Sequence, residues 1–175
     1  MTERLDFIRA LVRDQGLYQV MSMREALQTG VVEFEGDNMI QEGVIMGLDG
    51  FGYEINEKGE YEKFPHYGKV IIEQGVDIYS GTTVQRGSTK DTVIQRGTKI
   101  AGNCNIGHNT NIGRHCLIGA HNILCGSVVL GHHVRTGEFV RIGHGIKIGN
   151  YSKIRSYSNI IKDLPDNAFS KEGES

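Results

Sequence analysis

The chain has 175 residues, enough for one domain with a small appendage, and its 19 Lys and Arg against 21 Asp and Glu leave a formal net charge of -2. That balance provides no polybasic face for nucleic acid or for an anionic membrane, and no apolar run reaches bilayer-span length, so the expected partner is a small molecule or another protein. The 24 Gly, 2 Pro and absent Trp point to a repeat, while Cys104, Cys116 and Cys125, an odd set without CxxC spacing, are expected to be reduced and partly buried rather than a disulfide scaffold or zinc ribbon.

In chain order, Met1 to Gln15 carry charge throughout, unlike a signal peptide, so the expected location is cytoplasmic. Leu5, Ile8, Leu11 and Val12 mark an amphipathic helix, and Ser22 with Glu25 fits a capping box opening a second short helix. Residues 1–38 are accordingly assigned to a helical N-terminal cap. From Ile40 and Met46 an aliphatic pattern begins. It is interrupted over residues 49–68, where alternating apolar residues around Lys58-Gly59 predict a protruding hairpin. The pattern resumes at Ile72, Ile78 and Val84, slips by four residues at a loop around Ser88 to Asp91, and then holds a period of six from Ile94 to Ile160 with Thr136 its sole non-aliphatic member. From Ile106 to Ile148 the next residue is glycine except at Cys125, and the fifth position holds small or β-branched residues such as Cys104, Thr110, Cys116, Val128, Val134 and Val140. Residues 39–162 therefore form the repeat domain, and 163–175 a C-terminal tail.

Each hexad supplies one short strand and one turn, and three hexads close a triangular coil whose strands pair with the coils before and after. The aliphatic residues fill the prism, the glycine after them suits a corner with positive φ or close backbone approach, and small fifth residues fit the narrow interior. Helices at the N-terminus would cover apolar interior and unpaired strand edges at the open end. Residues eighteen apart share a face, which stacks His108, Gly126 and His144 in one column and predicts imidazoles roughly 9–10 Å apart across a glycine notch.

These features are those of hexapeptide-repeat proteins, and the stretch from Gly47 to Gly149 resembles the β-helical domain of UDP-3-O-acylglucosamine N-acyltransferases. The matching segments are Leu48-Asp49-Gly50-Phe51-Gly52-Tyr53, Gly68-Lys69-Val70-Ile71-Ile72, Thr82-Thr83-Val84-Gln85-Arg86-Gly87, Asp91-Thr92-Val93-Ile94 and Ile106-Gly107-His108-Asn109. The resemblance implies an all-β, left-handed parallel β-helix, a hand opposite to the usual crossover preference, assembled as a homotrimer with sites between prisms. It also implies transfer of an acyl group from an acyl-CoA or acyl carrier protein thioester to an amino or hydroxyl group of a sugar or nucleotide sugar, with no bound cofactor. In that family the His of the His-Asn pair is the general base, here His108, and the glycine one coil on, here Gly126, gives its N–H to the oxyanion. His144 joins them in the catalytic set. Asn109, Asn103, Arg86, Phe51 and Tyr53 are assigned to the acceptor, and Lys162, in a tail resembling the exit segment of acetyl-CoA-dependent hexapeptide transferases, to the donor phosphates.

The family's acid that orients the base falls on Gly102, its Asp before Arg-Gly is Gln85, and its second His falls on Gly145. Its uridine-binding and C-terminal helical parts have no counterpart, so a UDP-linked lipid A precursor is not the expected substrate. Two other readings share the fold. Gamma-class carbonic anhydrases place two zinc-binding histidines at the spacing of His108 to His144, but their third ligand falls on Gly149 here, and zinc ordinarily takes three protein ligands; no metal is assigned. A non-catalytic trimeric scaffold is the remaining alternative.

Overall fold

The computed structural model describes residues 29–170. It is a parallel β-solenoid of three six-stranded sheets, with a two-stranded antiparallel hairpin set apart from them. The first sheet runs from Val32–Phe34 through Val70–Ile72, Thr92–Ile94, Asn111–Ile112 and Val129–Leu130 to Lys147–Ile148. The second begins at Met39–Ile40 and ends at Lys153–Ile154, and the third begins at Ile45–Leu48 and ends at Asn159–Ile160. Every strand of a regular coil pairs with the strand eighteen residues on, as in Asn105↔Ile123 and Ile106↔Leu124.

The strands are short because the hexad sets their length. Numbering each hexad from its aliphatic residue, position six points outward, position one points inward, and the chain then turns. Ile94, Ile100, Ile106, Ile112, Leu124 and Ile142 are fully buried in one continuous column of core. Burial of such side chains contributes roughly 1.5–3 kcal/mol each. Position five is buried too, at Cys104, Thr110, Cys116, Val128, Val134 and Val140. Around the rim, backbone N–H groups of one coil donate to carbonyls of the next, as from Gly107 to Leu124 and Gly113 to Leu130.

Of the two roles expected for glycine, the corners show close backbone approach rather than positive φ. Positive φ belongs to position four, where Asn103, Asn109, His115, His121, Ser127, His133, Phe139, Tyr151 and Tyr157 all lie between 54° and 63°. The glycines of position two need space instead. A Cβ on Gly107, Gly113, Gly119, Gly131, Gly137 or Gly149 would come within 2.2–2.7 Å of a backbone atom of a neighbouring coil. Side chains forced left-handed cost roughly 1–2 kcal/mol each, and the aromatic ones recover part of this by stacking. His115, His133 and Tyr151 form one ladder, with centroids 5.3 and 5.0 Å apart. His121, Phe139 and Tyr157 form another, at 4.7 and 5.2 Å, on a different corner.

The hairpin stands where the alternation placed it, Tyr53–Ile55 pairing with Tyr61–Lys63 around a turn with Gly59 at φ 80°. Two boundaries move. Val32–Phe34 already pairs with Val70–Ile72, so the solenoid begins before residue 39, and bridges from Ile148 to Leu164 and from Lys153 to Phe169 carry its pairing past residue 162. The two N-terminal helices expected from the sequence lie outside the described residues. Among the described residues no helix is long and apolar enough to cross a membrane.

Candidate active site

The corner joining the third sheet to the first carries the candidate chemistry at position three. Strand registers Val84↔Ile106, Ile106↔Leu124, Leu124↔Ile142 and Ile142↔Ile160 place Arg86, His108, Gly126, His144 and Lys162 in one column, one coil apart in turn. His144 and Lys162 are exposed, His108 is partly buried and Gly126 is buried.

The glycine notch is not open as the spacing suggested. The His108 ring leans over Gly126, so that a Cβ there would stand 2.4 Å from His108 Nε2. The His108 and His144 centroids are consequently only 5.9 Å apart. On its other side His108 meets Gly50, where a Cβ would be 2.7 Å from His108 Cδ2 and 2.9 Å from His66 Nε2. Neither glycine has positive φ, so close approach to imidazole is what each position requires.

His66 was not singled out from the sequence. It is buried at the hairpin exit, 5.7 Å from His108 between centroids and edge-to-face with it at 89°. The segment Pro65-His66-Tyr67-Gly68 lies just ahead of the recognised Gly68-Lys69-Val70-Ile71-Ile72, and only the three-dimensional return of the hairpin onto the corner brings it to His108. Gly50 and Gln85 were likewise without an assigned role; Gln85 Oε1 accepts from the His108 backbone N–H at 3.2 Å.

The side chains hydrogen-bonded to His108 are the amides of Gln85 and Asn109. Asn109 Nδ2 lies 3.1 Å from His108 Nδ1. Burial holds the His108 imidazolium form down first, and the charges of His66 and His144 next, so its pKa lies below the ordinary imidazole value. Its ring is therefore a neutral group at pH 7.

At some position-three residues of other corners the N–H donates to a side chain one coil on, from Arg114 to His132 Nδ1 at 3.0 Å, His132 to Asn150 Oδ1 at 2.7 Å and Glu138 to Ser156 Oγ at 3.0 Å, whereas the N–H groups of Gly102 and Ala120 find no acceptor among the described residues. Among the described residues no acceptor bonds the Gly126 N–H. A buried donor held in this way is costly unless something binds it.

Of the residues assigned to the acceptor, Asn109 does not face a ligand. It is 6% exposed, and its amide bonds Ser88 N–H at 2.8 Å, Ser88 Oγ at 2.8 Å, Lys90 N–H at 3.5 Å and His108. Asn103 lies on the next corner round, between the second and third sheets, in the column of His121, Phe139 and Tyr157, and is not brought to His108. Arg86 shares the His108 column, with its Nε donating to Gly68 O at 2.8 Å. Phe51, 90% exposed, packs edge-on against Tyr53 at 5.2 Å, next to Gly50. Lys63 Nζ donates to Gly50 O at 2.7 Å and lies over the Tyr53 ring. Lys162 sits one coil beyond His144 at the column's end.

Two of the three cysteines stay apart from this chemistry, while the partly buried Cys125 adjoins Gly126. Cys104 and Cys116 are interior, and burial pushes the Cys116 thiol up to about 11 and raises Cys104 as well. Among the described residues no group of three His, Cys, Asp or Glu has metal-binding geometry.

No family model matches the chain. Over 39 residues it is 54% identical to a UDP-3-O-acylglucosamine N-acyltransferase from Christiangramia forsetii, covering 22% of this chain and 11% of that protein. Over 42 residues it is 48% identical to the protein of the same name from Francisella tularensis subsp. holarctica, covering 24% and 12%. The matches thus span about a ninth of the length of these curated relatives. Among solved structures, the UDP-N-acetylglucosamine acyltransferase from Campylobacter jejuni superposes with a TM-score of 0.59 at 16% identity, over 81% of this chain and 69% of that one. The solenoid is a fold shared with that acyltransferase. The local sequence matches are to proteins that carry the name of the family the sequence resembles.

Proposed function

We propose that the protein transfers an acyl group from a thioester, acyl-CoA or acyl carrier protein, to an amino or hydroxyl group of a sugar or nucleotide sugar, as a cytoplasmic homotrimer. The observation that carries this reading is the histidine cluster His66–His108–His144 closed around Gly126, whose N–H is unspent among the described residues. Attack on a thioester needs a neutral imidazole to handle the acceptor's proton and a fixed donor for the oxygen that becomes negative. Burial and the neighbouring imidazoles favour the neutral form of His108, and its ring overlies Gly126. Burial and raised thiol pKa values at Cys104 and Cys116 argue against a covalent acyl-enzyme on either of them.

Around the cluster, Phe51 and Tyr53 offer aromatic faces to a sugar, and Arg86 and Lys162, at either end of the column, complement phosphate groups on acceptor or donor. Asn109 orients His108 from behind. The zinc reading fits the ring less well. Histidines that bind zinc through Nε2 donate Nδ1–H to an acceptor, whereas His108 Nδ1 faces an amide nitrogen.

A thiol-release assay tests the proposal, presenting acyl-CoA and acyl carrier protein thioesters with panels of amino sugars and nucleotide sugars. Release that falls at least 100-fold in His108→Ala, within the range for losing either acid–base catalysis or an oxyanion donor, is the expected result. No release with any pair would leave the non-catalytic scaffold in its place.

A further inference from the structure

The hydrogen bonds around His108 fix more than its orientation. Asn109 can be placed unambiguously, because its amide oxygen receives the backbone N–H groups of Ser88 at 2.8 Å and Lys90 at 3.5 Å. Backbone N–H groups only donate, so that atom is the oxygen and the other is the NH2. The two amide hydrogens then go to Ser88 Oγ and to His108 Nδ1. His108 Nδ1 must accept, and the single ring proton of neutral His108 sits on Nε2. An imidazole in this state presents an N–H, not a lone pair, where its ring overlies Gly126.

His66 is set the opposite way. Its Nδ1 lies 2.9 Å from the carbonyl oxygen of Phe64. A carbonyl only accepts, so Nδ1 carries the proton and Nε2 carries the lone pair. That lone pair points into the space beside Gly50 where the His108 ring edge also lies. The groups around it are His108, His144 beyond it, Lys63 on the hairpin and Arg86 one coil before; among the described residues no carboxylate is hydrogen-bonded to either ring.

We infer that the two imidazoles divide the chemistry: His66 Nε2 is the base that takes the acceptor's proton, and His108 Nε2–H is a hydrogen-bond donor to the thioester oxygen, acting with the Gly126 N–H. The inference rests on the acyl-transfer reading. The acceptor nitrogen or oxygen forms a bond to the carbonyl carbon, the C=O pair moves to the oxygen held by His108 and Gly126, and the acceptor's proton passes to His66 Nε2. Collapse expels the thiolate, which regains that proton from His66 and leaves as the thiol. The products are the amide or ester and the free thiol, and both rings return to their starting state. The missing carboxylate at Gly102 is then no defect, since an acid behind His108 would select the tautomer this arrangement does not use.

The tautomers can be read without substrate. In protein labelled with ¹⁵N-histidine at pH 8, long-range proton–nitrogen correlation spectra should show His108 protonated at Nε2 and His66 at Nδ1, each assigned by its disappearance in His108→Gln and His66→Gln. Asn109→Asp keeps the acceptor for Ser88 and Lys90 but replaces the amide hydrogens with a carboxylate, and should move the His108 proton to Nδ1. In the thiol-release assay His66→Gln should lower kcat about 100-fold or more, in the range for a lost general base, and Asn109→Asp should restore part of the rate in the double variant by giving His108 a basic Nε2. A His108 protonated at Nδ1 in the unmodified protein, or turnover indifferent to His66→Gln, would overturn the division of roles while leaving acyl transfer standing. No release by the unmodified protein would instead remove acyl transfer, and the base assignment with it, whatever the spectra show.

Discussion

At His108 every neighbour acts on charge in the same direction. Burial disfavours the imidazolium, His66 and His144 repel it, and the Asn109 amide hydrogens face the nitrogen that would gain the proton. The folded-state pKa therefore lies below that of the unfolded chain, and the sign of the linkage follows. Between the two pKa values the unfolded chain binds more protons, so stability rises with pH there. Stability is full above the unfolded imidazole pKa, near 6.5, and is lost as pH falls through the folded value. In urea titrations at pH 8 and pH 5, the unmodified protein should lose more stability on acidification than His108→Asn, which cannot titrate. An equal loss in both would mean that the ring is not held neutral by its surroundings. Comparing the two proteins cancels the contribution of the other histidines.

Within the repeat, the one break in the aliphatic column is a device rather than a lapse. Thr136 is buried, and its Oγ1 accepts from Asn122 Nδ2 and from the backbone N–H of Gly119 at 3.0 Å. Asn122, wholly buried at position five, also donates to Gly137 O at 3.0 Å and accepts from Val140 N–H at 2.6 Å. Thr136→Val restores the aliphatic pattern and β-branching but leaves the buried Asn122 amide and the partly buried Gly119 N–H short of an acceptor. It should destabilise the protein by about 1–3 kcal/mol in chemical denaturation, although an apolar column alone would favour valine. The period of six made the solenoid legible in the sequence, because each aliphatic residue must enter the same narrow interior. What it could not assign was which corner residue turns the chain: position four tolerates Asn, His, Phe and Tyr at positive φ because stacked neighbours support them, so no glycine signal marks it. The same limit hid half of the site. His108, Gly126 and His144 followed from register, since they sit on the repeat, whereas His66 and Gly50 belong to the hairpin, whose return onto the corner obeys no period. Asn103, assigned to the acceptor, is separated from the site by one turn of the triangle.

The triangle also bears on assembly. Each sheet of a three-sided coil faces away from the opposite corner, and the His108 corner lies opposite the second sheet. That sheet carries a shallow groove lined by Asp77, Tyr79, Lys99, Ala101, Leu117 and Ile118, with Tyr79 41% and Leu117 51% exposed. Two copies related by a twofold axis would set groove against groove and leave both His108 corners in solvent. A head-to-tail contact sets the groove of one copy toward the His108 corner of the next, and with threefold symmetry it closes into a ring of three equivalent sites. The mass in light scattering should be three times that of the chain. Leu117→Glu places a charge in the groove, on the sheet opposite the His108 corner of its own chain, so it should shift the mass toward one chain without altering the tautomers of His66 and His108. If the site is completed by the neighbour, thiol release should fall with the trimer, and fall in proportion to dissociation as the protein is diluted. A twofold mass, or a Leu117→Glu monomer with unchanged turnover, would instead make each His108 corner sufficient by itself.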